Sequence, residues 1–295
     1  MKDLAKVLFA IQVASCVRIS PPPFAPPTAD AALARMHAPL SCGNAIQASA
    51  KVDHFGEGGR VRADVLLFAA RPARIRMDVV SPFGAALATL TSDGARFSMA
   101  DLKDRRFLAG PASACNIARL TTVPVPAHVL VDLLRGEAPV LKHDAGATTI
   151  GWSTAGYWVV IVPGQYESRE EIHLAPYPSD WKLPWQAQRM RVLDVRVEQK
   201  GYLLYRAQLD DHAPAPTAGP RDDPDNLEPP LPPSGPICHA DLPRRIHIEI
   251  ETPRPSDMRV VYQQLFWNPP LPDGTFEQAP PPGLPTEQVN CEEAH

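Results

Sequence analysis

The sequence predicts a mainly β protein of the α+β class: one large, curled antiparallel sheet with short helices filling its concave face. Three observations point there. Segment after segment alternates apolar and charged residues with period two, the pattern of strands covered on one face only. Helical patterns are few and do not interleave with strands, which disfavours a parallel, doubly wound sheet. Proline fills 35 of 295 positions, far above the usual ~5%. So many prolines must lie in linkers, turns and edges.

The chain opens with MKDLAKVLFAIQVASC. Lys2 and Lys6 make a weakly basic start, and Val7 to Ser15 is a short apolar stretch. This is the grammar of a signal peptide over residues 1–15 and is too short to span a membrane. It closes on Val13-Ala14-Ser15-Cys16, which resembles the bacterial lipobox. That resemblance implies cleavage before Cys16 and attachment of lipid to it, and Val17 in the next position implies the outer membrane. Residues 16–28, with Pro21 to Pro27, read as a stiff tether.

Residues 29–41 read as a short helix capped by Asp30 and ended by Pro39. Strands follow. In GRVRADVLLF, Val61, Ala63, Val65 and Leu67 oppose Arg60, Arg62 and Asp64. In ARIRMDVV, Ile75, Met77 and Val79 oppose Arg74, Arg76 and Asp78. In ARFSMAD, Phe97 and Met99 oppose Arg96 and Ser98. Turn signals at Pro82–Gly84, Asp93-Gly94 and Gly110-Pro111 separate them.

Two short helices come next. One runs over 111–120, with Pro111 in its first turn. The other runs over 126–135, with Val129, Leu130, Leu133 and Leu134 on one face and Gly136 as its stop. Strands resume at 148–153, 157–162, 168–175, 189–198 and 201–209. Trp158, Val160 and Val162 alternate in one of them, and Gln199-Lys200-Gly201 reads as a hairpin turn. Residues 212–236 hold nine prolines and no apolar period, so they read as a loop or disordered insertion. Strands return at 244–251 and 257–267 before a second proline-rich stretch, for about eleven strands in all.

Composition narrows the function. Hydrophobic residues make 44% of the chain, enough for a real core, and the net charge of −4 disfavours a nucleic-acid partner. No catalytic constellation is visible: there is no GxSxG, HExxH, P-loop or GxGxxG. An enzyme is therefore not expected, and neither is a cofactor. Cys238-His239 with His247 fits no usual zinc spacing, so no metal is expected. Asp101 and Asp104 read as a charged hairpin turn, and Arg71, Arg74 and Arg76 as a solvated strand face. Beyond Cys16, the cysteines Cys42, Cys115, Cys238 and Cys291 either pair, with three possible connectivities, or stay as buried thiols.

At residues 79–136 the pattern becomes specific. VVSPFGAALATLTSDG, then ADLKDRRFLAG, then NIARLTTVPVPAHVLVDLLRGEAP resembles the LolB family of outer-membrane lipoprotein receptors. The order is strand, PFG loop, strand, hairpin, then a helix pair hinged at Val123-Pro124-Val125-Pro126 and closed by Leu134-Arg135-Gly136. LPDGTFEQAPPPGL looks like the closing strand and Pro-Gly turn of the wider LolA/LolB superfamily, with Pro282-Gly283 in the matching place. The likeness covers roughly 30–210 and 240–285. The insertion at 212–236 and the long tail depart from the family pattern.

The resemblance implies an incomplete β-barrel over residues 29–290, with a lid of short helices and a hydrophobic cavity for lipoprotein acyl chains; residues 291–295 would be a tail. It implies delivery from a soluble periplasmic LolA-type carrier and insertion into the outer membrane. It makes Pro82, Phe83 and Gly84 the membrane-insertion loop, with Phe83 at its apolar tip. The cavity lining would come from Val65, Leu67, Met77, Val79, Phe97 and Met99 on strands. Leu130 and Leu134 of the second helix and Trp158 and Val160 on a later strand would complete it. Elementary energetics agree. Each lipid methylene taken from water is worth ~0.8 kcal/mol, so an acyl chain needs an apolar host in transit, and such a host needs no catalytic residues. The competing expectation is an envelope structural or interaction lipoprotein, or a carrier of another lipid on the same fold.

Overall fold

The computed structural model describes residues 18–56, 59–220, 229–251 and 255–290. The signal-peptide reading, Cys16 and Cys291 fall outside these residues. The first half of the sheet is a meander: β1 (Ala45–Gly56), β2 (Gly59–Ala70), β3 (Arg74–Val80), β4 (Ala86–Ser92), β5 (Arg96–Asp101) and β6 (Arg106–Pro111). The second half holds β7 (Thr149–Ser153), β8 (Tyr157–Pro163), β9 (Ser168–Pro176), β10 (Met190–Gln199) and β11 (Tyr202–Asp210). Short β12 (Ala213–Ala215) and β13 (Ala240–Leu242) form a separate pair, and β14 (Arg245–Ile250), β15 (Ser256–Trp267) and β16 (Thr286–Gln288) return to the main sheet.

The main sheet has 14 strands in the order β16-β6-β5-β4-β3-β2-β1-β15-β14-β11-β10-β9-β8-β7. Pairing is antiparallel throughout except between β16 and β6. The two halves join where β1 pairs with β15, and β16 and β7 are left as edges, so the sheet curls without closing. The hairpin read at Gln199-Lys200-Gly201 is present. Lys200 (φ 50°) and Gly201 (φ 82°) take the left-handed conformations that a tight two-residue turn needs.

The helices are α1 (Ala29–His37), α2 (Ala114–Thr121) and α3 (Ala127–Leu134). They pack on the inner face: α1 on β10, α2 on β5, and α3 on β2 and β3. Their buried residues belong to one apolar cluster with the inward residues of both halves of the sheet. No helix among the described residues is long and apolar enough to cross a membrane.

Several local expectations are corrected. Thr28, not Asp30, caps α1, its hydroxyl accepting from the Ala31 N–H at 3.1 Å. Asp30 sits in the first turn and accepts from the Thr148 hydroxyl instead. Pro111 ends β6 rather than opening a helix, and α2 starts after Ser113. Residues 271–284 form no strand. The closing strand is β16, which follows the Pro282-Gly283 turn and pairs in parallel with β6.

The proline-rich insertion is only partly a free loop. Pro216 and Ala218 exchange backbone hydrogen bonds with Trp267, whose N–H and C=O are both satisfied there. The Ser234 N–H donates to the Pro269 carbonyl, and the Cys42–Cys238 disulfide ties the far end of the segment to the start of β1. Cys115 is likewise disulfide-bonded. Trp267 is fully buried by this wrapping. The segment read as a tether is docked too. Ile19 bonds to Thr154 and Trp152, Phe24 accepts from Gln188, and Pro22 and Pro26 are buried.

Candidate functional site

Phe83 stands at the tip of the β3–β4 hairpin with 97% of its surface exposed. The loop beneath it is well made. The Ser81 N–H donates to the Ala85 carbonyl at 2.8 Å, the Gly84 N–H returns to the Ser81 carbonyl, and the Ser81 hydroxyl accepts from the Ala85 N–H. Gly84 adopts φ +80°, a left-handed conformation that suits glycine. Pro82 and Gly84 are exposed with Phe83. Water therefore surrounds a large apolar ring on a defined turn, and burying that ring in lipid would gain ~1.5–3 kcal/mol.

The residues proposed to line a cavity do converge. Leu67 lies opposite Met77, Met77 opposite Leu90, Leu90 opposite Met99 and Met99 opposite Leu108, an unbroken apolar row across β2 to β6. Val65 lies opposite Val79, two pairs along the same strands. Leu130 and Leu134 on α3 cover this surface, and Trp158 and Val160 on β8 join the same cluster from the other half of the sheet. All are buried except Val79, which is partly exposed. Leu90 and Leu108 complete the row without having stood out in the sequence.

This interior is packed. One depression of about 840 Å³ is lined by Phe55, Leu203, Ile250 and charged residues at one end of the strands. Another of about 630 Å³ lies beside the β6–β16 edge and touches only Phe97 of the predicted lining. α3 lies over the apolar row, packed on β2 and β3.

The fastening of α3 is polar and buried. Arg135, at its C-terminal end, donates to the carbonyls of Gly43 (3.0 Å) and Asn44 (2.6 Å) and pairs with Glu137. The other Glu137 oxygen accepts from Arg71 and meets His37 Nδ1. Arg71, itself partly exposed, thus pairs with the buried Glu137 and does not lie on a solvated strand face. Burial and the neighbouring Glu137 push the Asp132 carboxyl up to about 6. The Tyr262 hydroxyl donates to the Leu134 carbonyl at 2.9 Å. At the other end lies the α2–α3 connection: Thr122 is left-handed (φ 61°), and Val123 and Val125 are buried between the two helices.

One functional candidate escaped the sequence reading. Glu170 on β9 points inward, in phase with Ile172 and Leu174. One oxygen accepts from the Leu141 N–H at 2.8 Å; the other has no partner. Burial pushes its carboxyl up to about 8. The period-two phase of Ser168–Pro176 was the available signal.

No family model matches the chain, and no curated protein matches it. Solved structures do show likeness. A LolA superfamily protein from Nitrosomonas europaea is 12% identical, with 85% of this chain and 98% of that one covered, at a TM-score of 0.47. A DUF1329 family protein from Desulfovibrio piger is 10% identical over 84% and 95%, at 0.49. A domain named for outer membrane lipoprotein sorting, from Vibrio parahaemolyticus, is 8% identical over 84% and 95%, at 0.45. No residue role is carried across at these levels.

The remaining candidates resolve by chemistry. Cys238 is disulfide-bonded and so is not available as a thiolate beside His239. His247 instead meets Asp257 at 2.8 Å and lies near Glu249 on the outer face. Asp101 accepts the backbone N–H groups of Lys103 and Asp104, as a hairpin turn requires.

Proposed function

We propose that the chain is a lipid-anchored receptor and carrier at the periplasmic face of the bacterial outer membrane. In this reading Cys16 carries the anchoring lipid. The apolar row under α3 accepts lipoprotein acyl chains from a soluble LolA-type carrier, and the Pro82-Phe83-Gly84 loop enters the outer membrane as cargo leaves. Transfer needs only a difference in affinity between carrier, receptor and membrane, and no catalysis. Phe83 is the observation that carries the reading: a solvated aromatic ring on a hydrogen-bonded hairpin turn has a physical reason to exist if it meets lipid.

A second reading is an envelope interaction lipoprotein, or a carrier of another lipid. The packed interior favours it. Native mass spectrometry separates them. The full chain, purified without detergent and mixed with a triacylated lipopeptide, retains the lipopeptide if the first reading holds. A clean apo mass, with Phe83→Ala no different from the parent in vesicle binding, would sink it.

A further inference from the structure

The end of the sheet that carries Phe83 also carries two neighbouring turns. Asp64 pairs with Val80, so residues Gly59–Ala63 of β2 run on past the end of β3, beside the 81–85 loop. On the other side, the Leu102 N–H donates to the Leu87 carbonyl at 3.1 Å, which seats the β5–β6 turn against the base of the same loop. Leu87 and Leu102 are each close to half exposed. Apolar side chains thus continue sideways from Phe83 onto the next turn.

The charges on that turn are asymmetric. Asp101 and Asp104 share Arg106, and Asp101 also accepts two backbone N–H groups. Lys103 and Arg105 are exposed and have no ion-pair partner among the described residues. On the β2 side, by contrast, Arg60 and Arg62 are both taken up by Asp53. Two free cations therefore sit next to exposed leucines, the arrangement in which apolar side chains enter a headgroup layer while long basic ones meet its phosphates.

We propose that the β5–β6 turn is a second membrane contact that prefers leaflets rich in anionic phospholipid. Leu87 and Leu102 enter beside Phe83, and Lys103 and Arg105 bind lipid phosphates. The inference rests on the membrane-insertion reading of Phe83 and adds a headgroup preference to it. Each basic residue near an anionic surface raises partition about fivefold, and that part of the binding weakens with salt.

Vesicle flotation of the full chain tests this, with phosphatidylcholine vesicles that contain or lack phosphatidylglycerol, at low and at physiological salt. The N-terminal segment then contributes equally to every variant. Lys103→Gln with Arg105→Gln should lower partition onto the phosphatidylglycerol vesicles about tenfold or more. It should leave phosphatidylcholine binding and the thermal melt unchanged. Phe83→Ala should lower partition onto both vesicle types. A double variant that keeps the parent's preference for phosphatidylglycerol overturns this inference and leaves the rim to a protein partner. A Phe83→Ala chain that binds both vesicle types like the parent overturns the insertion reading instead.

Discussion

Arg135 and Glu137 form an ion pair, 3.2 Å between Nη2 and Oε1, in which neither side chain has any exposed surface. Only Gly136 separates them in sequence, yet the pair joins distant elements. Arg135 reaches the carbonyls that precede β1 and lies over the Trp267 ring at 4.9 Å, while Glu137 gathers Arg71 and His37. A charge without water needs all of its partners. The pair therefore fixes where α3 ends against the sheet.

Removing one member leaves the other buried and uncompensated. Arg135→Leu should destabilise the protein by about 3–5 kcal/mol, read as a fall in the urea midpoint at unchanged slope. A change under about 1 kcal/mol would show that water reaches Glu137 and that the network does not hold α3 in place.

Glu170 makes stability fall with rising pH. Its carboxyl is pushed from an ordinary 4.5 to about 8, mainly by burial, against the pull of the Leu141 N–H. The native state keeps a proton that the unfolded chain releases, so this contribution is complete below pH 4.5, declines above it and is gone past about 8. Asp132, raised to about 6, adds to the decline only up to that pH. His212, lowered from 6.5 to about 4 by burial, has the opposite slope between those values. The window from about 6.5 to 8 thus belongs to Glu170. Glu170→Gln should flatten the unfolding free energy there, measured by urea titration at several pH values. A slope equal to the parent's would mean that Glu170 is already ionised in the fold.

How much of this was legible follows from where the physics is local. The turn at Pro82–Gly84 was visible because turn chemistry is local, and the family resemblance singled out Phe83 within it. The row through Leu67, Met77 and Met99 was visible because alternation marks each strand by itself. β1 was faint: Ile46, Ala48 and Ala50 face the main core, but alanine barely contrasts with Ser49 and Gln47. β16 was hidden, since its three exposed residues join the sheet through backbone bonds alone. Arg71 looked like its neighbours Arg74 and Arg76, and only packing sends it to Glu137. The Cys42–Cys238 pairing, 196 residues apart, is a tertiary fact that spacing leaves open.

Phe83 should matter to binding and not to folding. Its ring is exposed and the loop bonds beneath it are all backbone or Ser81. Phe83→Glu should leave the thermal midpoint within the range of an ordinary surface substitution, about ±0.5 kcal/mol, while vesicle binding falls. A clear loss of stability would place the ring against protein and remove the main support for membrane insertion.

Leu130 tests whether the packed interior opens. It lies on α3 with 1% exposure, above the apolar row. Truncation to alanine should cost about 2–5 kcal/mol, and the space it vacates is far smaller than an acyl chain. If the interior is a fixed core, Leu130→Ala lowers stability and binds no more lipid than the parent. If α3 is a lid, weakening its hold on β2 and β3 raises the population of the open state, and lipopeptide uptake rises with it. Native mass spectrometry of parent and variant at equal lipopeptide concentration reads the difference. Greater occupancy in the less stable variant supports the carrier. Lower stability with unchanged occupancy removes the cavity and favours an envelope interaction protein.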